Sequence, residues 1–236
     1  MKLKKPKFWD YTKPNLLSYL LLPFTIIVRI NNYFNQIKNN HKFKKKTNNF
    51  RIKTICVGNI YVGGTGKTPS TIKINQILND LKYQTVFIKK SYSESLDEER
   101  LLKKYGNVLS NPKRIRSLEE ANKNYDVAIF DDGLQDPTIN YDLKFVCFNS
   151  EVFVGNGMLL PSGPLREKID SLNKYDAVFL NGNNKNLDNI ILQIRKKNNN
   201  IKIFECTYEL VNLNLLNKNN KYLAFAGIGI PTNFYN

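Results

Sequence analysis

The run Lys53-Thr54-Ile55-Cys56-Val57 leads into Gly58-Asn59-Ile60-Tyr61-Val62-Gly63-Gly64-Thr65-Gly66-Lys67-Thr68-Pro69, and Ile74, Ile77, Leu78 and Leu81 follow as an apolar stripe at helical spacing. A strand that runs through a glycine-rich turn into a helix is the architecture of a phosphate-binding loop. Lacking Cβ atoms, Gly63, Gly64 and Gly66 let successive backbone N–H groups, including that of Thr65, curl around an anion, and the positive end of the next helix adds to the field. Lys67 is expected to reach the β- and γ-phosphates, and the Thr68 hydroxyl to ligate Mg²⁺. The strict pattern places a glycine five residues before Gly66, where this chain has Tyr61. A ligand-free glycine turn is the plainer alternative, but the Gly-Lys-Thr triplet at a strand end argues against it.

Around this loop the pattern alternates. Strand-like runs fall at Thr54 to Val57, Thr85 to Ile88, Val127 to Phe130, Lys144 to Phe148, Ala177 to Leu180, Ile201 to Cys206 and Tyr222 to Ala226. Helix-like runs intervene at Thr68 to Leu81, Leu96 to Lys104, Ser117 to Lys123 and Leu187 to Lys196. Short strands apolar on both faces, alternating with helices, predict an α/β fold of the P-loop NTPase type: a mostly parallel sheet with helices on both faces. Ligands bind such sheets beyond the carboxyl ends of the strands. Of the twelve glycines, all but Gly106 fall at expected strand ends or in the loops at 58–69, 131–136 and 155–167.

The N-terminal 47 residues read differently. Lysines 2, 4, 5 and 7 precede Phe8-Trp9 and an apolar run from Leu16 to Ile30, and a basic stretch at Lys42, Lys44, Lys45 and Lys46 follows. Fifteen helical residues span about 22 Å, short of the ~30 Å hydrocarbon core, and Pro23 interrupts them. No small-residue cleavage site of a signal peptide follows. The segment therefore predicts a helix lying in the headgroup region of an anionic membrane, with an ordinary helix packed on the domain as the alternative. Residues 1–47 are expected to form this membrane-associated segment and residues 48–236 the core, joined at Asn48-Asn49. The net charge of +16 favours anionic partners in general, phosphorylated ligands, acidic lipids or nucleic acid, without choosing among them. Cys56, Cys147 and Cys206 all lie in strand-like runs, as buried free thiols do, so no disulfide partner is expected.

Two further stretches carry chemistry. The strand Tyr125-Asp126-Val127-Ala128-Ile129-Phe130 ends in Asp131-Asp132-Gly133-Leu134-Gln135-Asp136. Paired carboxylates at a strand end of a phosphate-loop protein suit Mg²⁺, so Asp131 and Asp132 join Thr68 as expected metal holders; a plain Asp-Gly turn is the alternative. Gly155-Asn156-Gly157-Met158-Leu159-Leu160-Pro161-Ser162-Gly163-Pro164-Leu165-Arg166-Glu167 is too rich in Gly and Pro for helix or strand. It reads as a structured loop carrying Arg166 toward the site, where a guanidinium can clamp a phosphate or stabilise developing charge.

These motifs, with Asp176-Ala177-Val178, Asn181-Gly182 and Ala226-Gly227-Ile228-Gly229, occur in an order that resembles the tetraacyldisaccharide 4′-kinase family, from about Phe8 to the last residue. The resemblance implies an ATP- and Mg²⁺-dependent kinase of lipid A biosynthesis, peripheral at the cytoplasmic face of the bacterial inner membrane. Its expected partners are the lipid A disaccharide precursor and the anionic membrane surface, with no nucleic acid. It also implies that Asp97 is the catalytic base, beside Lys67 and Arg166.

Departures from the family pattern are equally specific. Lys90-Ser91-Tyr92-Ser93 stands where the family has Arg-Gly-Tyr-Gly, and Leu96-Asp97-Glu98-Glu99, reached almost at once, where it has Gly-Asp-Glu-Pro after a longer insertion. Asp136 replaces a histidine. The family pattern continues past residue 236 with most of a second domain, including a histidine that assists the base. His41, in the basic stretch, is not its counterpart. The chain is thus expected to be a divergent, C-terminally truncated member with slow transfer. The alternative is a relative that binds nucleotide and membrane with little transfer. A partition-type ATPase would carry a lysine where this chain has Val62.

Overall fold

The computed structural model describes residues 5–30, 50–92, 96–182, 187–209, 217 and 220–223. The basic stretch at 42–46, the linker at 48–49, Ser93, and the run at 224–229 lie outside them, as does most of the expected strand at Tyr222 to Ala226, whose first two residues carry no strand structure.

Seven parallel strands form one sheet: β1 Lys53–Gly58, β2 Thr85–Lys90, β3 Val108–Asn111, β4 Val127–Asp131, β5 Leu143–Asn149, β6 Ala177–Asn181 and β7 Lys202–Cys206, in the order β3-β2-β4-β1-β5-β6-β7. The expected α/β fold is therefore the observed one, with β3 as a strand the periodicity did not announce. Four half-buried residues are too short to display an alternation.

Alternation along the strands decides which helix covers which face. Cys56, Val86, Ile88, Ala128 and Phe130 point to one side and pack against Ile115, Leu118 and Ala121 of α5, Arg114–Ala121. Their neighbours Ile55, Val57, Phe87, Val127 and Ile129 point to the other, against Ile72 of α3, Lys67–Asp80, and Leu102 of α4, Leu96–Lys103. Beyond β1, Val146, Phe148, Val178 and Leu180 meet Ile190 and Ile194 of α6, Leu187–Lys197. Each fully buried side chain of this size contributes roughly 1.5–3 kcal/mol.

The N-terminal segment is polar on its inner side. It comprises a 3-10 turn, Lys7–Asp10, a short helix α1, Leu16–Leu20, and a helix α2 at residues 22–30. Pro23 is accommodated in the first turn of α2, where no intrahelical partner for an N–H is lost. Ser18 and Thr25 are the buried residues, 0% and 5% exposed, whereas Leu16, Leu20 and Ile27 are 76%, 62% and 62% exposed. Ser18 Oγ accepts from Asn156 Nδ2 at 3.0 Å, and Thr25 Oγ1 lies 2.8 Å from Ser162 Oγ. Trp9 Nε1 donates to the Pro161 carbonyl at 3.1 Å, and the Asn156 N–H donates to the Trp9 carbonyl at 3.0 Å. Helices of soluble domains bury their apolar stripe; this pair buries a polar one and leaves a contiguous apolar surface outward. No helix among the described residues is long and apolar enough to cross a membrane.

The segment seats where it does because of Gly155. Its φ is +58°, and a Cβ there would collide with the Trp9 carbonyl oxygen. Gly155→Ala should release residues 5–30 while the sheet persists. In limited proteolysis the N-terminal segment should be cleaved faster than in wild type, with the far-UV circular dichroism of the core retained.

Candidate active site

β1 and β4 are hydrogen-bonded neighbours with Val57 opposite Asp131. The loop that leaves β1 and the carboxylates that end β4 therefore emerge side by side, at the carboxyl edge of the sheet. Gly66 closes the loop as the residue before α3, with φ +80°, and a Cβ there would stand 2.7 Å from Asn181 Nδ2. Only glycine meets both conditions. The carbonyls of the loop are held from behind: Asn181 Nδ2 donates to Thr65 O at 2.8 Å, and Ser70 Oγ to Gly66 O at 2.9 Å. Asn59 Nδ2 donates to Thr65 Oγ1 at 2.9 Å. With the carbonyls engaged on that side, the N–H groups of Gly63 to Thr68 are free to serve an anion.

Lys67 Nζ lies 3.9 Å from Asp132 Oδ2. Arg166 Nη1 donates to Asp132 Oδ1 at 2.9 Å and Oδ2 at 3.2 Å, and Arg114 Nη2 donates to the Asp132 carbonyl oxygen. Asp132 itself has φ +61°, a left-handed turn that Asp tolerates better than most residues, which swings its carboxylate toward both cations. Burial works to raise the Asp132 carboxyl, but Lys67, Arg166 and Arg114 outweigh it and hold it below the usual carboxylate range. The structure places Arg166 beside Asp132, and its N–H donates to Ile60 O at 2.7 Å, pinning the loop of 155–167 to the phosphate loop.

Asp131 is almost fully buried. Thr68 Oγ1 donates to its Oδ2 at 3.2 Å, and Lys89 Nζ donates to the same atom at 2.7 Å. Its other oxygen, Oδ1, is buried with no hydrogen-bond partner among the described residues. An orphaned carboxylate oxygen next to a threonine hydroxyl at a phosphate loop fits a Mg²⁺ ion. Among the described residues there is no cluster of three His, Cys, Asp or Glu side chains that would form an all-protein cage. Mg²⁺ does not need one, since it is commonly held by one or two carboxylates together with substrate phosphates and waters.

Two residues to which the sequence assigned no role, Lys89 and Glu98, belong here. Lys89, the penultimate residue of β2, has a side chain 3% exposed that bridges Asp131 and, at 2.6 Å, Glu98 Oε2. Burial would lower its ammonium, yet Asp131 and Glu98 together raise it. A lysine ending an apolar strand run was the available signal. Asp97 is exposed on the first turn of α4 and makes no hydrogen bond or ion pair with the described residues, whereas the adjacent Glu98 reaches Lys89.

Removing one member of a buried ion pair leaves an uncompensated charge. Lys89→Ala should therefore lower stability to urea by about 3 kcal/mol or more. Lys103→Ala, which removes the exposed partner of the i,i+4 pair with Glu99, should cost no more than about 0.5 kcal/mol. Equal midpoints for the two variants would contradict this placement of Lys89.

Comparison with known proteins identifies the family. Residues 17–236 match the family described as Tetraacyldisaccharide-1-P 4'-kinase. A tetraacyldisaccharide 4'-kinase of Pelagibacter ubique is 53% identical over 97% of this chain and 71% of its own length. That of Rickettsia canadensis is 34% identical over the whole of this chain and 73% of its own. Among solved structures, the "apo" form of LpxK from Aquifex aeolicus in complex with ATP superposes with a TM-score of 0.59 at 21% identity, covering 82% of each chain, which supports the fold. On the family match and these identities, the chain belongs to the tetraacyldisaccharide 4'-kinase family.

Proposed function

We infer that this protein transfers the γ-phosphate of ATP to the 4′-hydroxyl of a tetraacyl disaccharide 1-phosphate, the lipid A precursor. The observation that carries the reading is the meeting of Thr68 and Asp131 across the β1–β4 pair, within reach of Lys67, Asp132 and Arg166. Family membership supplies the acceptor, and the ATP-bound Aquifex structure supports the donor.

The N–H groups of Gly63, Gly64, Thr65, Gly66, Lys67 and Thr68 cradle the phosphates, and Lys67 adds a point charge. Thr68, Asp131 and Asp132 are the residues to hold Mg²⁺, which when bound neutralises charge on the β- and γ-phosphates. Arg166, drawn from Asp132 toward the more highly charged phosphoryl group, stabilises the charge that spreads over its oxygens during transfer. Asp97 accepts the proton of the 4′-hydroxyl as the new O–P bond forms and the bond to the β–γ bridging oxygen breaks, releasing ADP. Its exposed place on α4 is suited to a substrate arriving from outside the fold.

That substrate carries acyl chains, so the enzyme has to meet a bilayer. The outward apolar faces of α1 and α2 supply buried area in the headgroup region, and the net charge of +16 adds attraction to anionic lipid. This supports a peripheral enzyme of the inner membrane's cytoplasmic face, with residues 1–47 as the membrane-associated segment and residues 48–236 as the kinase core.

The experiment is transfer of label from γ-³²P-ATP to the tetraacyl disaccharide 1-phosphate in mixed micelles. Wild type should label the acceptor at the 4′ position, and Lys67→Ala should lower the rate by at least ~10²-fold. Asp97→Asn should lower kcat by ~10²–10⁴-fold while leaving ATP affinity unchanged. Labelling unaffected by Lys67→Ala would overturn the assignment.

A further inference from the structure

The phosphate loop departs from the strict glycine pattern at residue 61, and its backbone explains why a tyrosine is tolerated. Residue 61 forms an antiparallel bridge with Leu165, flanked by bonds from the Arg166 N–H to Ile60 O at 2.7 Å and from the Val62 N–H to Pro164 O at 2.9 Å. This is strand-like pairing, which any side chain permits. What the tyrosine adds is a connection. Its ring is fully buried and lies under the first glycine of the loop: a Cβ built on Gly63 would stand 3.4 Å from Tyr61 Cε1. Its hydroxyl donates to Asp10 Oδ1 and accepts from Lys5 Nζ at 3.2 Å. Lys5 Nζ also donates to Asp10 Oδ1 at 2.6 Å, and it stands 5.3 Å from the centroid of the Tyr61 ring. One side chain thus has its ring against the phosphate loop and its tip in the N-terminal segment.

We propose that Tyr61 is a positioning residue through which Asp10 and Lys5 hold the phosphate loop in its nucleotide-binding shape, so that seating of the N-terminal segment and binding of ATP favour each other. The proposal rests on the reading of Gly63 to Thr68 as the ATP loop. Two features make the link directional. The ring fills the space beneath Gly63, so that a shift of the phenol moves the loop and not solvent. The hydroxyl is engaged by a carboxylate and an ammonium of the same segment, so that lifting the segment breaks both contacts at once. Coupling between two such sites is reciprocal, because each ligand shifts the same equilibrium.

The test uses the full chain and two readouts, MgATP affinity by calorimetric titration and protease cleavage within residues 5–30 with and without saturating ATP. Tyr61→Phe keeps the ring and removes the hydroxyl; Asp10→Ala removes its acceptor. Each should weaken ATP binding by about fivefold or more, the range typical of coupled sites, and the double variant should be no weaker than the more affected single one, because both changes cut one link. Asp10→Asn retains an acceptor oxygen and should stay within about twofold of wild type. ATP should slow cleavage of the segment in wild type but not in Tyr61→Phe. Unchanged ATP affinity in Tyr61→Phe and Asp10→Ala, additive losses in the double variant, or a loss in Asp10→Asn equal to that in Asp10→Ala would each overturn the proposal. Failure of the underlying reading is a different result: wild type itself would not bind MgATP.

Discussion

Everything at the site depends on β1 and β4 being neighbours. The chain leaves β1, runs through α3, and returns as β2 two positions away, so that β4 inserts between them with Val57 opposite Asp131. That insertion sets the carboxylates of β4 between the phosphate loop on one side and the buried ammonium of Lys89 on the other. The three groups are far apart in sequence, and ladder hydrogen bonds, not side-chain reach, determine their separation. Lys89 and Thr68 both donate to one oxygen of the almost fully buried Asp131, and its other oxygen has no hydrogen-bond partner among the described residues.

A second brace acts from the opposite direction. The loop at 155–167 pairs with residues 60 to 62 and delivers Arg166 to Asp132, and the same loop receives Trp9, Ser18 and Thr25 from the N-terminal segment. The loop at 155–167 thus stands between the segment that presents apolar side chains outward and the glycine-rich loop at 58–69.

The sequence made the sheet and the phosphate loop legible because both are written in local pattern, apolar runs of strand length and glycines at a fixed spacing; the stripe expected along α3 held only in part, since Ile74 and Leu78 pack against the core while Ile77 and Leu81 are exposed and the helix buries Ser70, Thr71, Ile72 and Asn75. The doubled aspartate was legible for the same reason, standing directly after a strand. Lys89 was not, since a lysine at the end of a strand reads as a solvated end until β4 and α4 are known to close over it. The polarity of the N-terminal helices was half legible. The apolar run from Leu16 to Ile30 was plain, but Ser18 and Thr25 acquire meaning only once Asn156 and Ser162 face them across 138 and 137 residues of chain. The contrast between Asp97 and Glu98 was not legible, because it depends on Lys89 of β2 meeting one of them, a contact that no local pattern records.

The central claim is that the β1 loop and the β4 carboxylates form one metal–nucleotide site. It is tested most directly by the affinity for ATP with and without Mg²⁺, in wild type and in Asp131→Asn. The account predicts that Mg²⁺ tightens ATP binding to wild type about tenfold or more, equivalent to about 1.4 kcal/mol. Asp131→Asn should bind metal-free ATP comparably but lose most of that increment. An equal Mg²⁺ increment in the two proteins would contradict it.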